Sequence, residues 1–120
     1  MCIRDRLNLL TPDAYKDLEA KATKLGDGMQ AAFDAAGVTA VVPRVGSLLG
    51  LYFTDTAPTN FDEADAAATN GVYPKFFHGM LERGFAFAPG PYEAIFVSLA
   101  HDDAVIDQTI AACAEVAQTL

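Results

Sequence analysis

One acid, Glu93, stands between a Gly90–Pro91 turn and the apolar run AIFVSL of residues 94–99. That setting gives a carboxylate two uses. It can hold a cation at a strand entrance, where loops carried on rigid elements place binding groups, or it can sit solvated at a strand edge, as most acids do. The residues by themselves leave both open. Two histidines and two serines are the other groups with chemical reach. His78 follows Lys75 by three residues and precedes Glu82 by four, so on a helix it shares their polar face and reads as a surface residue. His101 sits just before Asp102 at a helix start, where it caps or orients that helix. Neither histidine has a partner at metal-ligand spacing. Ser47 and Ser98 become nucleophiles only beside a base, and no serine occupies a G-x-S-x-G elbow. Neither a G-x-x-x-x-G-K-[ST] nor a G-x-G-x-x-G phosphate loop is present. The chain therefore shows no complete catalytic apparatus.

The elements that must position Glu93 follow from spacing and caps. Thr11 and Pro12 make an N-cap and a first-turn proline, and Gly37 a stop, which predicts one long helix over Pro12–Ala36. Its apolar stripe is Leu18, Ala22, Leu25, Met29, Ala32, Phe33 and Ala36, with Lys16, Asp17, Glu19, Lys24, Asp27 and Gln30 on the other face. Residues 38–44 and 47–53 read as two strands about a turn at Val45 and Gly46, and Pro43 favours an edge position for the first. A helical turn over 62–68 precedes a third helix that carries Tyr73, Phe76, Phe77, Met80 and Leu81 and ends at Gly84. That aromatic stripe reads as core. Residues 85–87 and 94–99 read as two further strands, the second of them buried. Asp102 and Asp103 open a last helix that buries Ile106, Ile110, Cys113, Ala114 and Ala117. The order of elements predicts an α+β fold, with helices on one face of a mainly antiparallel sheet.

A chain of 120 residues supports one domain with its own core. The net charge of −8, from 8 basic and 16 acidic residues, argues against nucleic acid or an anionic membrane surface as partner, since both require clustered lysine and arginine. No apolar run approaches the roughly 20 residues of a membrane span, and the start lacks the pattern of a signal peptide. A cytoplasmic location is expected. Cys2 and Cys113 are too few and too far apart for a disulfide framework. The first six residues, MCIRDR, differ from the rest and resemble translated adapter sequence, so residues 1–6 are set aside as a non-native leader, and residues 7–120 form the domain.

The segments RVGSLLGLYFTD (44–55), KFFHGMLERG (75–84) and YEAIFVSLAH (92–101), in this order and at this spacing, resemble the C-terminal part of the glutamate-1-semialdehyde 2,1-aminomutase family, pyridoxal-phosphate enzymes of fold type I related to class III aminotransferases. The resemblance covers residues 7–120. It implies the small C-terminal domain of an isomerase that converts glutamate 1-semialdehyde to 5-aminolevulinate in tetrapyrrole synthesis, a homodimer when full length, acting on a small molecule. It implies pyridoxal 5'-phosphate as cofactor, held by a large domain upstream rather than by this segment. Lys16, Lys21, Lys24 and Lys75 lie outside any context in which that family seats its cofactor lysine. The active-site residue that the family draws from this region aligns with Glu93, which in that role attracts the ammonium of a diamino intermediate and repels a misplaced carboxylate. The family pattern has serine at the position of Gly90 and often glycine at that of Ile95. Two alternatives stand beside this reading. One is a sister aminotransferase, in which an arginine rather than Glu93 would be expected, and the other is a non-catalytic α+β binding module. If a large domain belongs on this one, the face that it covers should be bare and apolar.

Overall fold

The structure, a computed structural model, describes residues 2–120. Five helices and three short strands follow the order α1 (Ile3–Leu9), α2 (Pro12–Ala36), β1 (Arg44–Val45), β2 (Leu48–Leu49), α3 (Phe61–Ala68), α4 (Val72–Glu82), β3 (Ile95–Phe96) and α5 (Asp103–Ala117). Helices α2 to α5 stand close to where the sequence put them, whereas α1 was not expected. The Thr11 hydroxyl accepts from the N–H of Ala14 at the start of α2, and Gly37 closes it in the left-handed region at φ 71°. Asn60 caps α3 through the N–H of Glu63, and Asp102 caps α5 through that of Val105. Helix α1 buries none of its residues, so Ile3, Leu7 and Leu9 stay in solvent, and it runs across the expected boundary between residues 6 and 7.

Helices α2 and α5 pack together over one face of the sheet, with α4 against α5. Between them lie Leu25, Met29, Phe33, Leu49, Leu51, Phe53, Phe76, Met80, Ile106, Cys113 and Val116. Phe33, Phe53, Tyr73, Phe76 and Phe87 form a chain of tilted and edge-on rings with centroids 5.3–6.4 Å apart. The stripe read as core is therefore core at Tyr73, Phe76 and Met80, whereas Leu81, on its flank, is exposed.

The sheet is antiparallel in the order β1-β2-β3, which puts β1 at an edge, as Pro43 implied. It is smaller than the sequence suggested, for identifiable reasons. The turn falls on Gly46 and Ser47, one residue later than expected, with Gly46 at φ 58° in the first central position of a two-residue hairpin. In the segment 38–44, Val41 exchanges both backbone bonds with Tyr52 at 2.8 and 3.0 Å, but the opposite edge is taken by a side chain. Gln30 donates to the carbonyl of Ala40 and accepts from the N–H of Val42. Gln30 thus leaves the solvent face assigned to it and ties α2 to this edge. No strand forms over 85–87. The end of α4 is a Schellman motif, with Gly84 at φ 86° and the N–H of Phe85 donating to the carbonyl of Met80, so that amide is spent before a ladder begins. The run 94–99 pairs only at Ile95 and Phe96, and it is not buried throughout: Val97 is buried, Ile95 half-buried and Phe96 exposed.

Register fixes what each face carries. Leu48 pairs with Val45 on one side and Phe96 on the other, so these three share a face, and they are 41%, 80% and 70% exposed. Leu49 and Ile95 share the other face and point toward α2 and α5, with Leu49 only 2% exposed.

Candidate functional site

Glu93 stands two residues before β3, at the end of a loop that begins at Ala88. The side chain is exposed and, among the described residues, has no hydrogen-bonding partner. Its carboxylate folds back over Gly90: a Cβ placed on that glycine would come within 3.0 Å of Oε2. The Tyr73 hydroxyl feels this charge. Burial first, and then the negative field of Glu93, push its pKa up to about 12. The acid is thus available to a ligand, within the field of a neutral hydroxyl and in no ion pair among the described residues.

Beside the loop lies a cleft of about 300 Å³ between the 84–88 segment and β3, floored by Leu25, Ile106 and Thr109. The two runs expected as strands are its walls, unpaired with each other. The lining is apolar apart from His101 and Thr109, and the Thr109 hydroxyl is already bonded to the carbonyl of Val105.

The remaining candidates do not join Glu93. His78 is exposed on α4, its ring edge-on to that of Phe77, in keeping with a surface residue. His101 does not cap α5, which Asp102 does. Its Nδ1 instead accepts from the Ser98 N–H at 3.1 Å, closing the chain after β3, while Lys21 holds its carbonyl at 2.9 Å. The Ser98 hydroxyl lies 3.5 Å from the same nitrogen, a long approach for an activated nucleophile. Ser47 is half-buried in the hairpin turn.

A pyridoxal cofactor requires a lysine and donors for its phosphate, and the basic groups here do not provide them. Lys24 is bound to Asp107 at 2.6 Å, which with the Asp103 charge raises its pKa. Lys16 pairs with Asp13 on the surface, Lys21 holds the His101 carbonyl and Lys75 is exposed. Arg83 is paired with Glu115. None of these lines the cleft. These residues do not fit the cofactor. Among the described residues no cluster of histidine, cysteine, aspartate or glutamate could hold a metal ion, and no helix is long and apolar enough to cross a membrane.

Sequence reasoning missed the tyrosines. The Tyr73 hydroxyl donates to the carbonyl of Ala88 at 2.8 Å and that of Tyr92 to Oδ1 of Asp65 at 2.6 Å, so they fasten the two ends of the Glu93 loop. The available signal was a tyrosine in a stripe otherwise made of phenylalanine and methionine, because a buried hydroxyl needs a partner.

No family model matches the chain. Two curated relatives named glutamate-1-semialdehyde 2,1-aminomutase do: that of Neisseria meningitidis is 47% identical over 103 residues, and that of Bordetella avium 44% identical over 99. These alignments cover 85% and 82% of this chain and 24% and 23% of the relatives, so the chain spans about a quarter of their length. Among solved structures, a glutamate-1-semialdehyde aminomutase from Pseudomonas aeruginosa in complex with PMP superposes with a TM-score of 0.77 at 23% identity, over 89% of this chain and 23% of that one. A transaminase with PLP bound gives 0.73 at 25% identity, over 94% of this chain and 25% of that one. An omega-transaminase from Sphaerobacter thermophilus gives 0.75 at 18%, over 93% and 25%. The fold is therefore an α+β unit of the fold-type I pyridoxal-phosphate aminotransferases. By sequence, the chain is homologous to a quarter-length segment of glutamate-1-semialdehyde 2,1-aminomutase.

Proposed function

We propose that residues 7–120 are the small C-terminal domain of a glutamate-1-semialdehyde 2,1-aminomutase, residues 1–6 being a leader foreign to it. The full enzyme isomerises glutamate 1-semialdehyde to 5-aminolevulinate as a cytoplasmic homodimer, and pyridoxal 5'-phosphate supplies the electron sink from a seat outside this segment. The observation that carries the reading is 44–47% identity to aminomutases over more than four-fifths of the chain. The bare row Val45, Leu48 and Phe96 supports it, because a sheet with helices on one face alone leaves the other for the rest of such an enzyme to cover.

Glu93 contributes the charge. An exposed carboxylate without a protein cation attracts an ammonium and repels a carboxylate, and so holds a diamino intermediate in the productive direction. A sister aminotransferase would use an arginine to grip a carboxylate at this place. The two arginines near the sheet and α4 are Arg44, exposed at the β1 edge, and Arg83, paired with Glu115.

The test is Glu93→Gln in the full-length enzyme. It keeps shape and one acceptor but removes the charge. The expected loss is that of a charge-assisted hydrogen bond, about 1.5 to 3 kcal/mol, or roughly ten- to a hundredfold in retention of the intermediate or in turnover. Single-turnover assays should show the ratio of escaped diamino intermediate to 5-aminolevulinate rising while the melting temperature stays put. An unchanged ratio with parental turnover would reduce Glu93 to a solvated acid at a strand edge.

A further inference from the structure

We propose that Tyr73 and Tyr92 are positioning residues that clamp the 88–93 loop at its two ends and thereby set the direction of the Glu93 carboxylate. The inference rests on the reading of Glu93 as the ammonium-binding acid. Glu93 has no hydrogen bond of its own among the described residues, so its direction is inherited from the backbone on either side. At the start of the loop, Tyr73 is a rigid post. Its ring is 3% exposed and wedged between Phe53 and Phe76, and its hydroxyl donates to the carbonyl of Ala88 at 2.8 Å. At the far end Tyr92 lies flat on Phe61, with centroids 6.1 Å apart and planes 17° from parallel, and donates to Asp65 at 2.6 Å. Phe61 and Asp65 are one turn apart on α3, so a single helix face grips both the ring and the hydroxyl of the residue adjoining Glu93. Between the two anchors the carboxylate lies over Gly90, which has no side chain to displace it. Two helices, α3 and α4, thus hold a loop that makes no ladder of its own.

The clamp can be opened without touching the acid. Tyr73→Phe and Tyr92→Phe keep both rings and delete both hydroxyls, and Asp65→Ala removes the second acceptor. In the full-length enzyme carrying this segment, the double tyrosine variant should raise the ratio of escaped diamino intermediate to 5-aminolevulinate by between about twofold and tenfold, the range of one or two neutral hydrogen bonds. Asp65→Ala should reproduce the Tyr92→Phe effect, and Asp65→Asn, which keeps an acceptor, should largely restore the parental ratio. The decisive comparison uses Glu93→Gln as background. If the tyrosines act through Glu93, removing them there adds nothing to the ratio, whereas a purely structural role would add the same increment in both backgrounds. An additive increment overturns the clamp, as does an unchanged ratio in the tyrosine variants while Glu93→Gln alone raises it. If Glu93→Gln itself leaves the ratio unchanged, the reading of Glu93 fails first and the clamp falls with it.

Discussion

Tyr73 and Cys113 are buried groups whose protons the fold retains. Burial, and then the Glu93 charge, raise Tyr73 from 10.0 to about 12, and burial alone raises Cys113 from 9.0 to about 12. The unfolded chain releases these protons near their ordinary values and the folded chain keeps them, so between about pH 9 and 12 the folded state binds more protons and stability falls as pH rises. Lys24, raised mainly by its bond to Asp107, acts in the same direction, its contribution being lost as pH climbs past the usual lysine range. Glu63, lowered by the N–H and hydroxyl of Thr59, acts at the other end, where stability is lost as pH falls through the carboxylate range. The urea midpoint should therefore decline between pH 8.5 and 11.5, and Cys113→Ala should flatten part of that decline despite its lower starting midpoint. A parental midpoint that holds level to pH 11.5 would rule this out. Of these groups the burial of Cys113 and of Tyr73 was legible in the sequence, because helical spacing placed both on buried faces. The Tyr73 partner is a carbonyl 15 residues away on a loop, which periodicity does not encode.

Helices α2, α4 and α5 were legible because their signals are local: Thr11 with Pro12, Asp102, and glycines at positive φ after α2 and α4; α1 and the Asn60 cap of α3 were not. The strands were not, because side chains and caps took their backbone groups, Gln30 at Ala40 and Val42 and the α4 cap at Phe85. Close packing of α5 was equally hidden, and it rests on two glycines. A Cβ on Gly28 of α2 would lie 2.7 Å from Cγ1 and 3.0 Å from Cγ2 of Ile110, and one on Gly79 of α4 would lie 2.9 Å from Cγ1 of Val116. Both partners are β-branched, so rotation of χ1 trades one methyl for another. Gly28→Ala gains about 1 kcal/mol of helix propensity but overpacks the contact by about 1 to 3 kcal/mol, for a net loss of up to about 2 kcal/mol. Chemical denaturation should show the loss, and Gly28→Ala with Ile110→Ala should be less destabilised than the sum of the single changes. A Gly28→Ala chain more stable than the parent would mean that α2 and α5 lie further apart than described here.

At the scale of the whole molecule, two properties oppose each other. The net charge of −8 keeps copies apart, while Val45, Leu48 and Phe96 present an unbroken apolar row across all three strands, on the face that no helix covers. Contiguous exposed apolar patches above a few hundred Å² are unusual for a monomer. A sequence can show that 94–99 is apolar, but a ladder of two residue pairs decides which of those side chains meet the helices and which meet water. Shifting the register by one residue would exchange Ile95 and Phe96 between the two faces. The relatives are about four times as long, and under the function proposed above further chain would cover this row. The 120 residues alone should therefore self-associate with rising concentration, or bind a hydrophobic dye, with added salt strengthening association as it screens the charge. Replacing Val45 and Phe96 together with aspartate should remove both behaviours and leave the circular dichroism spectrum unchanged, because neither side chain is in the core. Sedimentation of parent and double variant over a concentration series checks this. A parent chain that stays monomeric and dye-free at high concentration would show that the sheet needs no cover, and would favour a self-contained binding module.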